Sequence, residues 1–495
     1  MPSRLLKKSE TNLEPDKRRR ARIENTALEF ALCVFIRVNS RRTCLFQRPA
    51  KKCGALFVLA AASAAFAQAP PQQPAPAPQA TPVAVTGPTL TLPQAVQLAI
   101  QNHPQIVAAQ NLQSAAGQRV VEARAPYYPA LNADLTASQA LYNSRIGAGY
   151  LSTSALFNRE GDGLTVNQLI TDFGRTHNLV ASSRFQEQAA AQTTQATVFD
   201  ITLGVNRAYF GVLESQALVQ VALDTVTARQ TLADQVTALG KAQLKSQVDV
   251  SFAEVDLSQA QLMLIRARAN LQQSFADLGR ALGVDTPAAE YQLTEGASPG
   301  TPPPTVDDLV AQAVQNRPEL ADLRFRYQAA QSFQRAEKDL KHPNVNLIAV
   351  GGALPYLDQN PHVAPEGYEG VAVNVEIPIF NGHLFTAREE AARYETLAAN
   401  QRLRDLQQQV EHDVRVAWLT ANTAYQRIPV TVQLMSQAQL ALDLARGRYD
   451  LGLASIVEVT QAQLNLTSAQ IENVGARFDY QSAYALLQYT IGALR

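Results

Sequence analysis

Residues 92–135, LPQAVQLAIQNHPQIVAAQNLQSAAGQRVVEARAPYYPALNADL, align without a gap on residues 306–349, VDDLVAQAVQNRPELADLRFRYQAAQSFQRAEKDLKHPNVNLIA. At a fixed offset of 214, Val96, Ala99, Gln101, Asn102, Pro104, Ala115, Ala116 and Pro129 meet Val310, Ala313, Gln315, Asn316, Pro318, Ala329, Ala330 and Pro343. A second block, 244–283, falls on 453–492 at an offset of 209, pairing Ser246, Val250, Leu257, Ala260 and Gln261 with Ser455, Val459, Leu466, Ala469 and Gln470. The change of offset is a five-residue deletion between the blocks, of the kind loops absorb. A period near 210 residues is far too long for a solenoid, so the chain holds two copies of one large unit, 89–300 and 301–495.

Within each unit the apolar pattern is that of long helices. Val250, Ala253, Leu257, Ala260, Leu264, Ala267, Leu271, Phe275, Leu278 and Leu282 are spaced by three or four throughout, a coiled-coil stripe. The second copy repeats it with Val459, Ala462, Leu466, Ala469, Ala476, Tyr480, Ala483, Leu487 and Ile491. From Gly174 to Leu239 there is no proline, which predicts a helix roughly 100 Å long at 1.5 Å per residue. It reverses at Gly240 to Gln247 and returns as a helix of about 36 residues. The second copy runs from Leu384 to Tyr449, reverses at Asp450 to Ser455 and returns to Leu494, with a kink expected at Pro429.

Between the helices the period changes from 3.6 to 2. Leu131, Ala133, Leu135 and Ala137 alternate with polar residues, as do Val371, Val373, Val375, Ile377 and Ile379. Weaker sets are Leu164, Val166 and Ile170, and Val345, Leu347 and Ala349, with loops expected at 142–163 and 351–370. Strands of about ten residues with one apolar face are the signature of a membrane barrel. Four strands cannot close one, and an open edge cannot sit in lipid, so the barrel must be shared between chains.

Residues 1–67 carry 14 basic and 5 acidic side chains, leaving 29 basic against 38 acidic and a net charge of −9 from residue 68 onward. No basic face suited to nucleic acid is present. Residues 48–67, RPAKKCGALFVLAAASAAFA, combine a basic start, an apolar run and an A-x-A end, which predicts a secretory signal; a Pro-rich linker fills 68–88. Cys33, Cys44 and Cys53 all precede the expected cut, so the mature chain has no thiol chemistry. The six histidines show no metal-ligand spacing, and no nucleophile elbow, phosphate loop or dinucleotide fingerprint occurs. No enzyme activity, metal or cofactor is expected.

The paired openings LAIQNHP and QAVQNRP, the strand-to-helix joints TDFG and IFNG, and the turn YDLGLASIVEVTQAQ resemble those of the TolC-like outer-membrane efflux proteins. The resemblance covers residues 89–495 and implies a fold class: mainly α, with two tandem units of helices, two strands and a long hairpin. It implies a homotrimer with a 12-strand β-barrel in outer-membrane lipid, four strands per chain, continued by a periplasmic α-helical barrel. The implied function is a passive exit duct for tripartite efflux or type I secretion, partnered by a periplasmic adaptor and an inner-membrane pump. A helical-hairpin scaffold of the periplasm is the alternative, and the alternating strands argue against it.

By the same resemblance the second hairpin turn closes the tunnel's periplasmic end. Tyr449, Gly452 and Glu458 hold the family's Tyr, Gly and first acidic positions, whereas Ala454 replaces its basic residue and Gln461 its second acid. Asp249 matches Glu458 in the first copy, where it could accept a hydrogen bond from Tyr449. Gly240 aligns with Tyr449 and Gln243 with Gly452, so the two tips differ in residues. The gate candidates are therefore Asp249, Tyr449, Glu458 and Gln461, and the loss of a partner at Ala454 predicts a looser gate or a different lock. Leu244, Ser246, Leu451, Gly452, Leu453 and Ser455 form the tips expected to meet the adaptor.

Overall fold

The computed structural model describes residues 89–138, 145–146, 154–155, 159–284, 291–296, 304–357 and 367–494. The basic extension, the signal sequence, the cysteines and the Pro-rich tract lie outside them. A short strand β1 (Thr89–Leu90) opens the first copy, followed by α1 (Leu92–Asn102) and α2 (Pro104–Arg124). Pro104 occupies the first position of α2, where its missing N–H is harmless, and His103 caps that helix by accepting from Gln105 N at 3.3 Å. Then come β2 (Ala130–Ser138), the two-residue pair β3 (Arg145–Ile146) and β4 (Ser154–Ala155), β5 (Arg159–Thr171), α3 (Arg175–Lys241) and α4 (Gln247–Leu282).

β6 (Gln292–Leu293) ends the first copy, and the second supplies α5 (Val306–Asn316), α6 (Pro318–Asp339), β7 (Asn344–Leu357), β8 (Gly367–Glu376), α7 (Leu384–Asp450) and α8 (Ile456–Thr490). The duplication is reproduced closely in length. Both α3 and α7 have 67 residues, about 100 Å each at 1.5 Å per residue, and α4 and α8 have 36 and 35. Pro429 lies inside α7, which continues across it from Leu384 to Asp450.

Strands β2, β5, β7 and β8 form one antiparallel sheet in that order. Its register gathers the alternating residues of all four strands on one face. Leu131 pairs with Val166 and Ala133 with Leu164; Val166 pairs with Ala349, which pairs with Val371; Leu347 and Val345 pair with Val373 and Val375. Leu131, Leu135, Leu164, Val371, Val373 and Val375 are each more than half exposed. The opposite face carries Asn132 beside Thr165, Asn346 beside Asn374 and Asn344 beside Glu376. One face of the sheet is thus apolar and exposed and the other polar, the alternation that membrane strands carry.

The strands are longer than the alternation predicts. β5 begins at Arg159 and β7 runs on to Leu357, so much of the two expected loops is strand, while β8 ends at Glu376 and leaves Ile377 and Ile379 beyond the ladder. The glycines that suggested loops serve close packing instead. The Tyr368 ring lies across β7 and β5, where a Cβ on Gly352 would stand 2.7 Å from Tyr368 Cζ and one on Gly163 2.3 Å from its hydroxyl.

The helices form a layer with two tiers. Near the sheet the packing order is α2, α3, α6, α7; towards the hairpin turns it is α4, α3, α8, α7. The long helices α3 and α7 thus run through both tiers. Tyr209 on α3, fully buried, places its hydroxyl 2.8 Å from the carbonyls of Leu90 and Thr294, pinning the parallel β1–β6 pair that closes the first copy. Trp418, its counterpart on α7, donates to the Pro304 carbonyl at 2.6 Å, a packing role as expected.

Candidate functional site at the hairpin tips

The turns joining α3 to α4 and α7 to α8 have the same backbone in spite of different residues. In the first, Gln243 N donates to Gly240 O at 3.0 Å and Leu244 N to Leu239 O at 2.9 Å. In the second, Gly452 N donates to Tyr449 O at 3.0 Å and Leu453 N to Arg448 O at 2.7 Å. Both are helix ends closed through one left-handed residue, Gln243 at φ +62° and Gly452 at φ +74°. Glycine adopts that conformation without cost and glutamine does not, so the first tip carries strain that the second lacks.

Leu244, Leu451 and Leu453 project from these turns with 70%, 75% and 68% of their surface exposed. Just behind them the chain is tightly packed. Val250 and Ala253 of the first tip join Leu442, Ala445, Tyr449, Ile456, Val459 and Ala462 of the second in one apolar cluster. Apolar burial of this kind gains roughly 25 cal/mol per Å² removed from water, so the two hairpins are welded behind their tips.

The two matching carboxylates do different work. Asp249 closes a capping box on α4, its carboxylate accepting from Ser246 N at 3.2 Å and from Ser246 Oγ at 3.0 Å while Ser246 Oγ accepts from Asp249 N. It is therefore not the acceptor for Tyr449, contrary to the sequence expectation, because its own helix start has claimed it. Glu458, three residues after the Ser455 cap, pairs instead with Arg448 at 2.9 Å, and Ser455 makes no side-chain cap bond. Arg448 supplies the basic partner that Ala454 cannot. At 57% and 41% exposure this pair is worth at most about 1 kcal/mol. Gln461 donates to Asn465 Oδ1 one turn along its own helix, at 3.0 Å.

Tyr449 is buried, 7% exposed, and its hydroxyl has no hydrogen-bond partner among the described residues. What meets it is Lys245, from the other tip, with Nζ 3.9 Å from the centre of the ring. A cation over an aromatic face contributes about 0.5–2 kcal/mol, more as water is excluded. The sequence marked Tyr449 but gave no sign of Lys245. A lysine in a turn is ordinarily solvated, and only the fold shows that the first tip leans over the second.

No cluster of three metal-ligating side chains occurs among the described residues, and no helix there is long and apolar enough to cross a membrane. The family profile described as Outer membrane efflux protein matches residues 95–284 and 309–493, one match per copy. The chain belongs to the outer membrane efflux protein family. It is 25% identical over 426 residues to the Outer membrane protein TolC of Escherichia coli K12, covering 81% of this chain and 82% of that one. A crystal structure of a membrane protein from Pseudomonas aeruginosa superposes with a TM-score of 0.70 at 20% identity, covering 81% of this chain and 93% of that one. VceC from Vibrio cholerae gives 0.69 at 19% identity, with 81% and 96% covered. As an outer membrane efflux protein, this chain is an outer-membrane channel of the efflux and secretion type, a passive conduit and not an enzyme. The family acts with an inner-membrane pump and a periplasmic adaptor.

Proposed function

We propose that three copies of this chain assemble into a single duct, each giving four strands to a 12-strand barrel in outer-membrane lipid and its helices to a tunnel across the periplasm. One observation supports this above the others. The free edges of the sheet, β2 and β8, lie on the same two sides as the outermost helices of the layer, α2 and α4 on one and α7 on the other. Those helices expose apolar residues at whole-turn spacings, namely Val248, Phe252, Val255, Leu262 and Ile265 on α4, and Val416, Leu419, Val430 and Leu434 on α7. Unpaired backbone and unpaired apolar stripes on both flanks make a surface that a rotated copy completes.

In that assembly each chain contributes two repeats, 89–300 and 301–495, and the shared geometry of their two turns brings six tips to one end. Asp249, Tyr449, Glu458 and Gln461 border the closing mouth, where each Glu458 carboxylate is balanced by its own Arg448. Leu244, Ser246, Leu451, Gly452, Leu453 and Ser455 face the adaptor, whose apolar side chains would cover the exposed leucines. The pump, not the duct, would choose the cargo. Membrane fractionation followed by crosslinking in detergent tests the assembly. The expected result is outer-membrane recovery with a limiting crosslinked species of three chains; a soluble single chain would overturn it.

A further inference from the structure

We propose that the resting mouth of the duct is latched by Lys245 clamped on the face of Tyr449, a cation–π contact between the two hairpin tips of each chain, and not by a hydrogen bond from the tyrosine hydroxyl. This latch rests on the duct reading above. Four features carry it. Lys245 Nζ stands 3.9 Å from the ring centre. The Tyr449 hydroxyl is buried and unpartnered among the described residues, so it holds nothing. Asp249 is committed to the Ser246 cap and Glu458 to Arg448, so neither of these two carboxylates competes for the ammonium. Lys245 itself makes no ion pair among the described residues, which leaves the aromatic face as its binding partner.

The backbone explains why lysine reaches the ring. The left-handed turn at Gln243 reverses the chain two residues before Lys245, and Ser246 then starts α4, so Lys245 is held between a fixed turn and a fixed cap. Its counterpart in the second tip is Ala454, which lies against the apolar cluster and has no charge to offer. Only the first tip can therefore act as the clasp, and only the second carries the ring. Separating the two hairpins must pull the ammonium off the ring, whereas the Arg448–Glu458 pair lies within the second hairpin and can stay intact during that motion.

The test is single-channel recording in planar bilayers of trimers purified from outer membranes, each variant first checked for membrane recovery and crosslinking to three chains. Lys245→Gln and Tyr449→Leu are expected to raise the opening frequency by about five-fold per chain, on the order of 100-fold when three latches are lost together. Lys245→Arg and Tyr449→Phe keep the cation and the ring, and are expected to hold the resting conductance. Channels that ignore Lys245→Gln, or that open with Tyr449→Phe, would overturn the latch and leave the duct standing. A wild-type chain that is soluble and forms no channels would remove the duct and the latch together.

Discussion

Glu214 on α3 has its carboxyl pKa pushed above the ordinary glutamate range, first by burial and then by the neighbouring Asp479 carboxylate. A raised folded-state pKa means that the protonated form is the one the fold favours, so stability is fullest below the unfolded value, about 4.3, and is lost as pH rises through the folded value. Glu214→Gln is accordingly expected to raise the thermal stability of the purified protein at pH 7–8. The gain should shrink to nothing below about pH 4, where both states of the wild type are protonated. Scanning calorimetry across that range reads it directly; a gain that persists in acid would contradict the assignment. At this scale the sequence placed Asp249, Tyr449 and Glu458 correctly at the turns, since alignment of the two copies needs only residue identity. It paired Asp249 with Tyr449, which the structure does not, and it named no partner for Glu458. Arg448 lies ten positions before Glu458 on the far side of the turn, opposite Leu239 in the other copy, so no repeat signal announced it.

The helices owe their legibility to length. Apolar spacing sustained over 36 residues in α4 leaves little room for another period, and its inner stripe of Val250, Ala253, Ala260, Leu278 and Leu282 is buried as expected. Strand ends were less legible because glycine carries two meanings, turn or close approach, and only the Tyr368 ring packed over Gly352 and Gly163 decides between them. What sequence reading overlooked is the second stripe of α4, Val248, Phe252, Val255, Leu262 and Ile265, which the fold leaves uncovered. Replacing Phe252 and Val255 together by Glu puts two charges where a neighbouring copy would exclude water. The double variant is expected to fold as a chain but to lose the three-chain crosslinked species, each uncompensated charge costing several kcal/mol at a dry interface. Retention of full crosslinking would assign that stripe to another surface.

At the scale of the whole molecule, the apolar sheet face is the surface that the proposed duct would turn to lipid. Val373 sits mid-strand on β8, paired with Leu347 and 63% exposed. An arginine there, near the middle of the apolar band, should cost about 2–4 kcal/mol per chain on insertion. Val373→Arg is therefore expected to deplete the outer-membrane fraction sharply, while Asn374→Arg on the opposite face should be tolerated. Comparable recovery of the two variants would show that the faces had been assigned the wrong way round.

The equal spans of α3 and α7, 67 residues apiece, set a rule for any change in reach. Seven residues added to each arm of one hairpin alone would carry its tip about 10 Å past its neighbour, taking Lys245 out of range of Tyr449 and unseating the cluster behind them. A taller conduit thus requires the same heptad written four times in one gene, into both descending and both ascending helices. The height of the structure is in this way locked by its own internal symmetry, and a single insertion would be read as a defect before it could serve as an extension.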